Sequence, residues 1–271
     1  MTEKEYNAAE GVRRSDLWKM EDSAEKFKYF LEHPVEQTPA MAFGSACHKM
    51  ILEPGDFGNE YAVAPNVDKR TKEGKEIWAA FAADNTGKTI LSQADADIMS
   101  EMEEALERCQ LANDLIRGEG QTEVPLFWKD HETGELCKAK LDRIVKDDNG
   151  QYVIVDYKTC LSAETNRFNN EIFKLGYHFQ AGFYSDGLMH ALKLDYRPKF
   201  LFVAQEKKAP YALNVIEVTD DVMKVGVEKF YELLGKYHEC KMVDIWPGYL
   251  EDDVPNETQL PGWYSLEMEE E

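Results

Sequence analysis

The 271-residue chain is 43% hydrophobic, enough to bury a substantial core, and carries a formal net charge of −21. No apolar run approaches the roughly 18 residues of a membrane span, and the opening MTEKEYNAAEG lacks the apolar stretch of a secretory leader, so a cytoplasmic protein without a membrane partner is expected. Cys47, Cys109, Cys137, Cys160 and Cys240 stand far apart with no CxxC pair, which argues against a zinc ribbon or an iron–sulfur centre built from clustered thiolates.

Apolar residues at Leu17, Met20, Phe27, Phe30 and Leu31 give helical spacing over 15–33, interrupted near Ser23, so one bent helix or two short ones are expected. A helix over 42–52 carries His48 and stops at Pro54-Gly55. The stretch 53–71 reads as loop, broken by Pro54, Gly55, Gly58, Pro65 and Asn66. Helices over 72–83 and 92–116 follow, the second with Ser92 as N-cap. After Gly118-Glu119-Gly120 the period changes, and 122–129 and 135–145 read as strands joined by a turn at 131–134. The run YVIVDY, 152–157, is β-branched and aromatic throughout and suits a central buried strand. A helix over 170–192, strands over 199–204 and 212–218, and a helix over 220–240 complete the pattern.

This order predicts an α/β fold, a mixed central β-sheet flanked by helices with an N-terminal helical region. One domain over 1–250 is expected, mainly helical over 1–117 and sheet core over 118–245, followed by an acidic tail over 251–271. That tail holds eight acidic residues and no Lys or Arg, and the rest of the chain is still acidic. A polyanion such as DNA would need a local basic stripe on a body that repels it elsewhere.

The segment KAKLDRIVKDDNGQYVIVDYK, 138–158, carries the chemistry. If the turn is the three residues Asp148, Asn149 and Gly150, with Gly150 left-handed, Asp147 faces Gln151 and the register sets Asp142 opposite Asp156. Cβ atoms across such a pair lie about 4.5–5.5 Å apart, close enough to share a divalent cation. A two-residue turn at Asn149-Gly150 would slip the register and separate the carboxylates. Asp156 and Lys158 are two apart on one strand and share a face. Taken alone, D-x-K is a weak pattern, since an Asp at a strand end is more often a solvated cap paired to the Lys. Here Asp156 follows Val153-Ile154-Val155, where a carboxylate needs a partner or a cation.

The arrangement resembles the PD-(D/E)xK restriction-endonuclease-like nucleases, and within them the RecB-like and RecE-like (exodeoxyribonuclease VIII type) exonucleases. His48 in GSACHKMILEP is similar to the family's early-helix histidine, and Glu123 in TEVP to its acidic residue before the hairpin. KAKLDRI ends in the aspartate motif at Asp142, VDYKT supplies Asp156 and Lys158, and Gln180 and Tyr184 match Q-x-x-x-Y. The opening RRSDLWKMEDSAEKFKYFLEHP is similar to RecE-type domains, so the likeness spans about 10–245. The resemblance implies that Asp142 and Asp156, with the carbonyl of Tyr157, ligate a metal, and that His48 helps hold a second ion. Glu123 would support the cluster, Lys158 would position the attacking water, and Gln180 with Tyr184 would orient Lys158 or grip the DNA backbone. Mg²⁺ is implied as the cofactor, two ions in all, with Mn²⁺ as a substitute.

The implied activity is a metal-dependent exodeoxyribonuclease that digests one strand of linear duplex DNA from an end. RecE likeness further implies 5′→3′ polarity, a ring-shaped homo-oligomer and a single-strand annealing partner in recombination. Two alternatives stand beside it. One is another nuclease of the superfamily, such as a nickase or a structure-specific endonuclease. The other is a non-catalytic acidic interaction protein on a nuclease frame. Phosphate-contact candidates are Lys138, Lys140, Arg143 and Lys146 along one strand, Lys69, Arg70, Lys72 and Lys75, and Arg13, Arg14 and Lys19. Trp78, Phe81 and Trp128 could stack on an unpaired end, though core packing is the commoner use of such residues.

Overall fold

The computed structural model describes residues 1, 3–33, 38–250 and 254–258, so the acidic tail lies almost wholly outside the described residues. In chain order the elements are α1 (Glu3–Ala8), α2 (Arg14–Leu17), a 3-10 turn (Trp18–Glu21), α3 (Ala24–Glu32), α4 (Pro39–Leu52), α5 (Pro54–Glu60), β1 (Tyr61–Val63), α6 (Lys72–Asp84), β2 (Thr89–Leu91), α7 (Gln93–Arg108), α8 (Gln110–Arg117), β3 (Gln121–Lys129), β4 (Leu136–Lys146), β5 (Tyr152–Cys160), α9 (Thr165–Lys174), α10 (Tyr177–Leu192), β6 (Lys199–Glu206), β7 (Leu213–Glu217) and α11 (Asp220–Val243).

Caps explain most boundaries. The Ser23 hydroxyl accepts the Lys26 N–H (3.1 Å) and starts α3, which accounts for the interruption read near Ser23. Ser92 and Asp95 form a capping box at the head of α7. Three expectations need correction. Pro54 opens α5 instead of ending structure, because a proline at the first helical position loses no hydrogen bond. The helix expected over 92–116 breaks at Cys109, whose backbone is extended (φ −95°, ψ 91°). The helix expected over 170–192 starts earlier and breaks at Gly176, which takes φ 67° while Trp18 packs where a Cβ would sit, 2.5 Å away.

The main sheet has strand order β3-β4-β5-β6-β7, with β5 and β6 parallel and the other pairs antiparallel. This is the mixed sheet expected from the sequence. A second, two-stranded parallel sheet joins β1 and β2, so the N-terminal region is not wholly helical. The central β5 is covered on both faces. Val153, Val155 and Tyr157 pack with Ile51, Leu52, Ala112 and Ile116 from α4 and α8. Ile154 joins Phe168, Phe179, Phe183, Phe200, Phe202 and Phe230 on the other side, where α10 and α11 lie. Each fully buried side chain of this size contributes roughly 1.5–3 kcal/mol, so β5 is a firmly anchored place for a charged group. Among the described residues no helix is long and apolar enough to cross a membrane.

Candidate active site

The β4–β5 hairpin turns as its residue types require. Asp147 N–H donates to the Gln151 carbonyl (2.9 Å), Gly150 N–H to the Asp147 carbonyl (2.8 Å), and Gly150 takes φ 77°. The loop is the three residues 148–150, and the ladder runs from Lys146↔Tyr152 to Arg143↔Val155. One step on, this register sets Asp142 against Asp156. There the strands part, and Asp142 Oδ2 accepts the Tyr157 N–H (2.9 Å), replacing the partner the ladder no longer supplies.

Across the other edge of β4, the pairs Thr122↔Arg143 and Val124↔Leu141 bracket Glu123 and put it opposite Asp142. Glu123 takes φ 53°, a left-handed conformation that costs a non-glycine residue roughly 1–3 kcal/mol. From α4, His48 Nε2 reaches to 2.8 Å from Asp142 Oδ2, and Nδ1 to 3.6 Å from Glu123 Oε1. One ligand atom from each of His48, Glu123 and Asp142 lies within 4.8 Å of the others. Two carboxylate oxygens and one imidazole nitrogen suit a divalent cation.

Asp156 sits behind this group. It is wholly buried; Oδ2 is 2.5 Å from Lys158 Nζ, and Oδ1 accepts Gln180 Nε2 at 2.5 Å. The Lys158 ammonium is thus the cation that faces this buried oxygen. Beside this ion pair, the His48, Glu123 and Asp142 group supplies the nitrogen and oxygen donors that a divalent cation takes. The residues present therefore fit a divalent metal. The sequence leads one to expect Asp142 and Asp156 on one ion with Glu123 in support; the structure gathers Glu123 with His48 and Asp142 and turns Asp156 toward Lys158 and Gln180. Gln180 thus holds the partner of Lys158 and not Lys158 itself. Tyr184, one turn further along α10, packs near Phe183 and Phe200. Tyr157 lines the cavity, while its hydroxyl donates to Gln205 Oε1 (2.6 Å) on the neighbouring strand.

Several basic candidates serve the fold instead. Lys138 is 3% exposed, and its ammonium donates to the Tyr6, Asn7 and Ala9 carbonyls. Arg143 is buried and donates to the Leu115 and Gly118 carbonyls and to Thr122 Oγ1. Arg14 donates to the Leu175 and Gly176 carbonyls, both at 2.7 Å, closing the α9–α10 break. Burial of these cations is tolerable because carbonyl dipoles surround them; they are not free to meet phosphate. Arg13 is paired with Asp16 (2.9 Å), Arg70 with Asp68 (3.0 Å), and the Lys69 ammonium lies over the Trp78 ring. Trp128 is buried edge-on to Phe183 and belongs to the core. Lys140 alone of the strand β4 group faces the cavity, 2.5 Å from Glu123 Oε2.

The cavity measures about 520 Å³ and is lined by His48, Glu123, Lys140, Tyr157 and Lys158 together with residues that sequence reasoning missed. Among these are Glu3, Lys49, Glu53, Glu60 and Tyr177. Lys49 pairs with Glu53 four residues on (2.7 Å), a spacing visible in the sequence beside His48. Glu3 carries no such signal, because its partner Lys140 is remote in the chain.

Burial would lift the Asp142 carboxyl, but His48, Lys158 and the Tyr157 N–H outweigh it and hold it below the ordinary carboxylate range. Asp156, buried as deeply and facing the Asp142 charge, is pushed up to about 6 despite Lys158. Burial likewise raises Glu123 against the pull of Lys140. Burial opposes charge on His48 and Lys158, yet Asp142 and Glu123 raise the first and Asp156 and Asp142 raise the second. Lys158 is therefore a cation at neutral pH.

The folded-state value of Asp156 exceeds its unfolded one, so its charge costs the free protein stability as pH rises through about 6. A bound cation offsets that cost. Mg²⁺ should raise the melting temperature more at pH values well above about 6 than below it. Calorimetric melts on either side check this, and an equal shift at both would contradict it.

A family model described as "PDDEXK-like domain of unknown function (DUF3799)" matches residues 14–252. No curated protein sequence matches the chain. Among solved structures, a "Putative exonuclease" from Eubacterium rectale superposes with a TM-score of 0.63 at 15% identity, covering 96% of both chains. At that identity the likeness speaks to the fold alone. A second structure, SSO0001, reaches a TM-score of 0.39 at 12% identity over 86% of this chain and 81% of its own, too low to carry weight.

Proposed function

The chain belongs to the family of PDDEXK-like domains, and we propose that it is a divalent-metal-dependent nuclease that digests one strand of linear duplex DNA from a free end. The observation that carries this proposal is the His48–Glu123–Asp142 cluster, opening into a cavity that also holds Lys158. The choice of an exonuclease rests on the resemblance of the motif order to RecE-like enzymes; the Eubacterium rectale structure, described as a "Putative exonuclease", shares the fold.

His48, Glu123 and Asp142 would hold the ion, with Asp156 and the Tyr157 carbonyl beside it. When bound, a divalent cation supplies Lewis acidity at the scissile phosphate and a more acidic water. Lys158, kept protonated by Asp156 and Asp142, is suited to hydrogen-bond the incoming water and to offset negative charge on the phosphate, and not to act as a general base. Gln180 fixes the Asp156 carboxylate and so fixes where that ammonium can point. We extend the proposal to Mg²⁺ as the physiological ion, 5′→3′ polarity, a ring-shaped homo-oligomer and a single-strand annealing partner, on the resemblance of the motif order to RecE. A ring would confine the basic surface to its channel and leave the outside acidic, in keeping with the charge of −21.

End-labelled linear duplex incubated with Mg²⁺ should release acid-soluble nucleotides, EDTA should stop the release, and covalently closed circles should stay intact. Nicked or linearised circles would make the chain an endonuclease of the same family. No product with any divalent metal would leave a non-catalytic interaction protein on a nuclease frame.

A further inference from the structure

The short helix α1 meets the rest of the molecule in two unlike ways. At its C-terminal end the Lys138 ammonium, 3% exposed, donates to the carbonyls of Tyr6 (2.9 Å), Asn7 (3.3 Å) and Ala9 (2.5 Å), and the Tyr6 ring lies edge-on to Phe127. At its other end Glu3 Oε2 is 2.7 Å from Lys140 Nζ at the cavity wall, and the Glu3 side chain is 68% exposed. The first contact is a buried clamp. The second is an exposed ion pair, the kind worth least.

The three cavity lysines differ in what neutralises them. Lys158 is held by the buried Asp156, and Lys49 by Glu53, which caps its own helix, and Glu60 on the next. Lys140 keeps the inner carboxylate of Glu123, 13% exposed, but its second partner is a carboxylate from the separate short helix α1. A phosphodiester carries the same single negative charge as a carboxylate and accepts the same ammonium hydrogen bonds.

We propose that Glu3 is a displaceable stand-in for substrate phosphate. In the free protein its carboxylate occupies Lys140; when a DNA strand enters, a phosphate oxygen takes that ammonium and α1 swings away about the Lys138 clamp. Lys140 is then a phosphate-binding residue of the site, and Glu3 a latch that sets how readily DNA enters. Its departure also removes one carboxylate from a cavity that already presents Glu53 and Glu60 to an incoming polyanion. The latch rests on the nuclease proposal.

Anisotropy of a fluorescein-labelled duplex, in EDTA and low salt, is the test, with cleavage in Mg²⁺ measured alongside. Glu3→Gln should bind roughly two- to fivefold tighter than the parent, the range an exposed ion pair supports, and cut with a correspondingly lower KM. The gain should vanish in a Lys140→Gln background and fade as salt is raised. Hydrogen exchange over residues 3–8 should quicken when duplex is added to the parent protein. If the parent cleaves DNA but Glu3→Gln binds equally or more weakly, the latch is wrong and the nuclease stands. If the parent neither binds nor cleaves any DNA, both fall.

Discussion

Replacing Lys158 with Gln should lower kcat/KM by about 10²–10³, the loss usual for one preorganised group that stabilises transition-state charge, while leaving metal affinity within a few-fold of the parent. Asp142→Asn should abolish cleavage as fully and also weaken metal binding, because Asp142 belongs to the cluster that the ion would occupy. The choice of substitutions matters. Alanine at 142 would orphan the buried Tyr157 N–H, at roughly 1–3 kcal/mol, and confuse loss of fold with loss of chemistry; asparagine keeps an acceptor for it. Removing the Lys158 charge leaves Asp156 without its ion-pair partner, but that carboxyl is already pushed up to about 6 and can take a proton instead of unfolding the strand. Melting curves, calorimetric Mg²⁺ titration and cleavage rates on the two variants separate the roles. More than a tenth of parental activity in either would remove that residue from the site.

The two variants probe a hairpin whose geometry is legible in the sequence, because every contact that sets it is local. From Asp147 to Gly150, turn length and a left-handed glycine set the register, and the register sets the carboxylates. The central strand is legible for a similar reason, since Val153, Ile154 and Val155 leave no polar face to expose. What the sequence hides is everything decided by remote partners. Lys138 and Arg143 look like surface cations because their polarity suggests exposure; their solvents are carbonyls of α1 and of the α8 end, far away in the chain. Glu123 looks like a supporting residue because its position depends on a left-handed backbone that no residue preference announces. The strands β1 and β2 give no signal because three residues are too few to show a period of two. The helix break at Gly176 is likewise tertiary: Trp18 packs directly over it, and Arg14 caps the carbonyls there.

The same dependence on remote packing makes a pair of glycine substitutions on one helix diverge. Gly226 and Gly182 are where α11 crosses α10; a Cβ on Gly226 would stand 2.0 Å from the His178 carbonyl oxygen, and one on Gly182 would stand 2.4 Å from the Gly226 carbonyl carbon. Both obstacles are backbone, which cannot rotate away. Gly235, farther along α11, has nothing within 4 Å of its would-be Cβ. Gly235→Ala should therefore gain roughly the 0.8–1.0 kcal/mol by which alanine outdoes glycine in a helix. Gly226→Ala collects the same gain but must push two packed helices apart, an overpacking cost of about 1–3 kcal/mol or more. A carbonyl contact that close puts it at the upper end, so a net loss of about 2 kcal/mol and a melting temperature roughly 4–8 °C lower are expected. The damage should also reach the chemistry. His178 and Gly182 bracket Gln180, whose amide holds Asp156 at 2.5 Å, and a shift of about 1 Å at such a contact can cost 10²-fold in rate. Cleavage should fall further in Gly226→Ala than its loss of folded protein explains, and stay parental in Gly235→Ala. Equal melting temperatures for the two variants would mean that the helices do not meet through these glycines, and that Gln180 is not held in place by that crossing.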